Sequence, residues 1–133
     1  MTLNARRLFA PSPVVSGRAR NVALWTLQIL LGLFMAVASG APKLFGEATA
    51  VAMFDQIGLG DGFRYLVGAL EIAGGLGLLV PRLAHLAALG LALVMVGAIV
   101  ACLTVLAAGA LTITPLILLA LFALIAWARW PRA

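Results

Sequence analysis

The chain has 133 residues, of which 65% are apolar and only 10% charged, and its mean hydropathy is +1.18. Soluble domains run about 25% charged, so a soluble enzyme is excluded and an integral membrane protein is expected. The net charge of +5 does not require nucleic acid, because basic chain ends beside an anionic leaflet account for it.

Residues 1–21 carry Arg6, Arg7, Arg18 and Arg20, are broken by Pro11 and Pro13, and read as a flexible basic tail. Residues 22–133 then form one membrane domain with no room for an appended catalytic unit. The first span is expected from about Val22 to Ala41, closed by Pro42, close to the roughly 20 residues that a bilayer core requires. Arg6 and Arg7 resemble the start of a twin-arginine signal, and Ala36 to Ala38 a cleavage site. An uncleaved helix is nevertheless expected, since cleavage would leave three spans.

Lys43 to Gly62 is too polar to span and too apolar for a free loop, and a short interfacial or re-entrant helix is predicted near residues 47–57. The second span is Phe63 to Val80, with Asp61 as N-cap and Pro81 as terminator. The third covers about Leu83 to Ala107. After a turn at 108–114, Pro115 opens the fourth at a first helical position. The expected fold is thus all-α, a four-transmembrane-helix bundle with a short helix between helices 1 and 2. Arg6, Arg7, Arg18, Arg20, Arg82, Arg129 and Arg132, seven of nine basic residues, fall at one end, which places both termini in the cytoplasm of an inner-membrane protein. Trp25, Trp127 and Trp130 would share one interfacial belt.

Glu71 is the one acidic residue inside the apolar spans. A charge at such depth costs about 2.5–3.5 kcal/mol on insertion scales and marks a functional position by default. Lys43, Arg64 and a bound ligand are its candidate partners. Arg64 is two helical turns away, about 10.5 Å by rise, so Lys43, which can snorkel from the end of the first span, is preferred. A bond that merely pins the bundle is the alternative to a proton, ion or ligand site. Gly68, Gly74 and Gly75 share the Glu71 face and leave space for a ligand. Small residues spaced by four mark helix contacts in lipid. Gly32, Ala36 and Gly40 on the first span, with Ala69, Ala73 and Gly77 on the second, are expected to meet, which would turn Glu71 towards a different crevice. Cys102 and His85 are single, so no thiol pair, metal cluster or haem ligand pair is expected.

Ser39 to Phe45 (Ser-Gly-Ala-Pro-Lys-Leu-Phe), Ile57 to Leu59, and Gly68 to Leu78 (Gly-Ala-Leu-Glu-Ile-Ala-Gly-Gly-Leu-Gly-Leu) resemble the DoxX family of small four-helix membrane proteins. The resemblance runs over nearly the whole chain after the tail and is most specific across residues 36–80. It implies signature positions at Gly40, Lys43, Glu71, Gly74 and Gly75. Family members include a subunit of an archaeal thiosulfate:quinone oxidoreductase and a mycobacterial protein of membrane thiol and superoxide defence, with related sequences in methylamine utilisation and receptor assembly. The implied function is a non-catalytic subunit of a quinone-linked redox or oxidative-stress complex, with another membrane protein or a second copy as partner. A small-solute or proton carrier and an assembly protein are the alternatives. No nucleophile-base pair accompanies Glu71, so catalysis by this chain alone is not expected.

Overall fold

The computed structural model describes residues 13–106 and 109–131. Every regular element among them is helical. Helix α1 (Pro13–Leu33) runs on through a π-helical segment (Phe34–Gly40) into α2 (Ala41–Phe45), followed by α3 (Ala48–Ile57), α4 (Asp61–Gly77), α5 (Ala84–Leu103), a 3₁₀ turn (Gly109–Thr112) and α6 (Ile113–Arg129). Three helical stretches are long and apolar enough to cross a membrane: Gly17–Phe45, Ala84–Leu103 and Gly109–Arg129. Only 28% of the most apolar window of each is buried. Large side chains such as Leu30, Val37, Leu93, Leu103 and Trp127 lie on the outside, while Gln28, Arg64, Glu71 and Thr112 are buried. Apolar surface on this scale is tolerated only in hydrocarbon. The chain is an integral membrane protein.

Several boundaries differ from expectation. Part of the basic tail, residues 1–12, lies outside the described residues, but residues 13–21 are helical rather than flexible. Pro42 does not close the first span. It sits at the start of α2, just after the π segment, where the ladder is already shifted: Ala41 N–H reaches back five residues to Ala36 O, so a missing donor is tolerated. The helix ends instead at Gly46, whose φ of 74° is left-handed, and Glu47 N–H closes the turn on Pro42 O at 2.9 Å. Asp61 is the first residue of α4 rather than its cap, which is Gly60. Pro115 lies third in α6, still within the turn whose N–H groups lack helical partners.

Helix α3 falls inside the interval expected for it. Glu47 caps it, both carboxylate oxygens accepting backbone N–H bonds of 3.0 Å, from Thr49 and Ala50. These bonds hold the exposed Glu47 carboxyl below its ordinary 4.5. A depressed acid stabilises above its unfolded pKa, and that contribution is lost as pH falls through the folded value. The protection factors of the Thr49 and Ala50 amides are therefore expected to fall as pH drops below about 4.5, and to be lower at neutral pH in Glu47→Ala; equal protection in the two proteins at neutral pH would contradict the cap.

The core joins Leu31 and Met35 of the first helix, Leu78 just past α4, Ala88, Leu91, Ala92 and Met95 of α5, and Phe122, Ile125 and Ala126 of α6. Helices α5 and α6 form a hairpin, while α4 lies along the π segment and α2. Backbones approach closely in that second contact. A Cβ added at Gly32 would stand 2.6 Å from Gly75 O, one at Gly75 would stand 2.5 Å from Gly32 O, and one at Gly40 would stand 2.8 Å from Gly68 O. The first-helix ridge of Gly32, Ala36 and Gly40 is thus in the contact, but Ala69 and Ala73 are exposed and Gly77 faces Ala87. Gly68 and Gly75 take their place, and Gly74 accommodates Leu91. Spaced by seven with Glu71 between them, Gly68 and Gly75 escape a search for small residues four apart.

Candidate functional site

The π segment carries Ser39, and α2 carries Lys43 one turn further on. Glu71, midway between Gly68 and Gly75, faces both from α4. Its Oε2 accepts from Lys43 Nζ at 2.9 Å and from Ser39 Oγ at 2.7 Å. Lys43 Nζ also donates to Ser39 O at 3.0 Å and to Ser39 Oγ at 3.1 Å, using all three ammonium protons. The Glu71 side chain is 4% exposed and that of Lys43 18%. Glu71 therefore does not turn into a separate crevice but lies in the glycine seam between the first helix and α4. The α4 face that meets the first helix is set by Gly68 and Gly75 rather than by Ala69 and Ala73, and Glu71 lies on it.

Arg64 does not reach Glu71. Its Nη1 donates to Lys43 O, one of the carbonyls left open where the first helix ends, and a cation there also complements the helix dipole. Nη2 lies 3.6 Å from Asp61 Oδ1, and the guanidinium stands 4.6 Å from the Tyr65 ring centre. Arg64 thus fixes the backbone of the residue whose side chain holds Glu71. Ser39 belongs to the Ser39–Phe45 motif, yet sequence reasoning gives it no role; a serine one helical turn before a lysine is the available signal.

A surface recess of about 410 Å³ is lined by Ala38, Ser39, Pro42, Lys43, Glu47, Thr49, Ala50, Met53 and Phe54. Lys43 and Ser39 give it a polar edge backed by Glu71, and Ala38, Ala50, Met53 and Phe54 give it apolar walls. The recess is open to the molecular surface rather than enclosed. Phe54 meets Phe63 with ring centres 5.8 Å apart, which anchors α3, the outer wall, to α4. Of the sequence candidates, Lys43, Glu71 and Gly68 come together here: a Cβ at Gly68 would lie 2.9 Å from Lys43 Cβ. Gly74 and Gly75 serve helix contacts instead.

A second polar cluster is not foreshadowed by the sequence. Gln28 is fully buried and donates from Nε2 to Leu78 O at 2.8 Å, satisfying a carbonyl where α4 ends. Arg129 Nε donates to Gln28 Oε1 at 2.7 Å and Nη1 to Asn21 Oδ1 at 2.8 Å. The Arg129 guanidinium stands 5.3 Å from the Trp25 ring centre, while His85 meets Trp130 edge to face. Cys102 is buried and unbonded, and no group of three metal-ligating side chains occurs among the described residues.

No curated protein and no solved structure matches the chain. A family model described as the DoxX-like family matches residues 26–125, an interval that includes Gln28, the π segment, Ser39, Lys43, α3 and Glu71. By that match across most of its length, the chain belongs to the DoxX-like family.

Proposed function

We propose that the chain is a non-catalytic membrane subunit of a quinone-linked redox or oxidative-stress complex, and that the recess beside Lys43 receives the quinone headgroup. The observation that carries this reading is the Ser39–Lys43–Glu71 cluster at the edge of a recess with apolar walls. An amphiphile with carbonyl acceptors on a flat ring matches that distribution. Two of the three Lys43 bonds go to Ser39, so a ligand carbonyl can replace one of them while the ion pair stays intact. Glu71 then holds the Lys43 ammonium in place at the edge of the recess. Family membership supports the redox setting by analogy. In this reading α4, about 25 Å long by rise, is the fourth crossing, α3 lies at the outer interface, and both termini face the cytoplasm of an inner membrane. Reporter fusions at the C-terminus should be active only on the cytoplasmic side.

The reading is tested by extracting the protein in mild detergent and quantifying bound quinone by mass spectrometry. Wild type should carry close to one quinone per chain, and Lys43→Met, checked for native helicity, should lose most of it. A folded wild type without quinone, in membranes that contain it, would remove the proposal. Proton flux in proteoliposomes, lost in Glu71→Gln and kept in Arg82→Gln, would favour the carrier reading. A stoichiometric membrane partner retained by Glu71→Gln would favour assembly.

A further inference from the structure

Among the described residues, the end of the bundle away from Glu71 carries Arg20 and Arg129 without a salt bridge. The chain has four carboxylate side chains, Glu47, Asp55, Asp61 and Glu71, all in the segment from α3 to α4 or just before it. The salt bridges among the described residues use Lys43 with Glu71 and Arg64 with Asp61. Arg20 and Arg129, from α1 and α6, instead line one recess of about 270 Å³ together with Gly17, Asn21, Leu24 and Ala128. Arg129 is held there by Gln28 and Asn21 through two of its nitrogens, while its buried Nη2 has no hydrogen-bond partner.

A buried guanidinium N–H without an acceptor is costly, the more so because the group is charged. Two arginines beside one recess favour an anion whose oxygens can take several N–H bonds. Leu24 and Ala128 add an apolar surface, and Trp25, Trp127 and Trp130 are grouped at the same end of the sequence-expected bundle, a composition suited to the headgroup layer. We infer that this recess is a phosphate-binding site, formed by Arg20 and Arg129, for the headgroup of an anionic phospholipid. Asn21 and Gln28 are positioning residues that orient the Arg129 fork. The inference depends on residence in a membrane and not on the quinone reading, whose failure would leave it standing.

The test uses the full chain in a mild non-ionic detergent, titrated with phosphatidylglycerol, phosphatidylcholine or inorganic phosphate, with native mass spectrometry counting retained adducts. One phosphatidylglycerol should remain bound, with at least tenfold preference over phosphatidylcholine, whose choline cancels the phosphate charge. Arg20→Gln should weaken retention about tenfold, the size of one charge-assisted contact. Arg129→Lys keeps the charge but loses the fork, and should weaken it as well. Inorganic phosphate binding on its own, with an adduct lost in Arg20→Gln, would support the same phosphate chemistry and assign its source to the free ion. Equal retention of the two lipids, or retention untouched by both substitutions in folded protein, would overturn the inference.

Discussion

Replacing Lys43 with Met is expected to destabilise the folded chain by about 3–5 kcal/mol, the usual result of leaving one member of a buried ion pair without its partner. Glu71 would remain beneath the recess with only the Ser39 hydroxyl on Oε2. Glu71→Gln should cost less, about 1–3 kcal/mol, because Lys43 is part-exposed and can turn towards water. The double variant should be less destabilised than the sum by at least about 1 kcal/mol, above the roughly 0.6 kcal/mol averaged by polar contacts between membrane helices. Reversible unfolding in mixed micelles measures all three. Simple additivity would show that the 2.9 Å contact has no energetic weight.

Gly75→Ala should be nearly as damaging, at about 3 kcal/mol, the upper end for overpacking. The added methyl would meet Gly32 O at 2.5 Å and Ala36 N at 3.0 Å. Both atoms are helix backbone and cannot rotate away, so relief requires the two helices to part along the same seam that holds Glu71 against Lys43. The variant should therefore also weaken the ion pair, seen as a smaller coupling energy when the Lys43 and Glu71 changes are repeated in its background. Gly90 and Gly97 of α5 have nothing within 4 Å of an added Cβ. Alanine there should be neutral or stabilise by up to about 1 kcal/mol through helix propensity. Equal effects at Gly75 and Gly90 would refute the close-contact account.

The contrast between those glycines indicates what a single sequence can and cannot disclose. Apolar spans separated by Pro81, the 3₁₀ turn and the semi-polar stretch around Ala48–Ile57 can be read directly, since hydropathy and helix breakers act locally. Lys43 and Glu71 can be named as neighbours because so few charges occur in the apolar half of the chain. The α4 face that meets the first helix cannot be read. It carries Gly68 and Gly75, seven residues apart, so a four-residue ridge pattern selects the exposed Ala69 and Ala73 in their place. The Gln28–Arg129 bond joins residues 101 positions apart and has no local signature. A shared helix makes Arg64 a candidate partner for Glu71; its actual reach to Lys43 O depends on where the first helix ends, beyond Pro42.

Photoaffinity labelling with an azidoquinone in bilayers, followed by peptide mapping, tests the proposed recess most directly. Adducts concentrated on residues that line it, such as Ala50, Met53 and Phe54, displaced by excess unlabelled quinone and depleted in folded Lys43→Met, are the expected result. Labelling spread over the lipid-facing sides of α5 and α6, unaffected by competitor or by Lys43→Met, would contradict it.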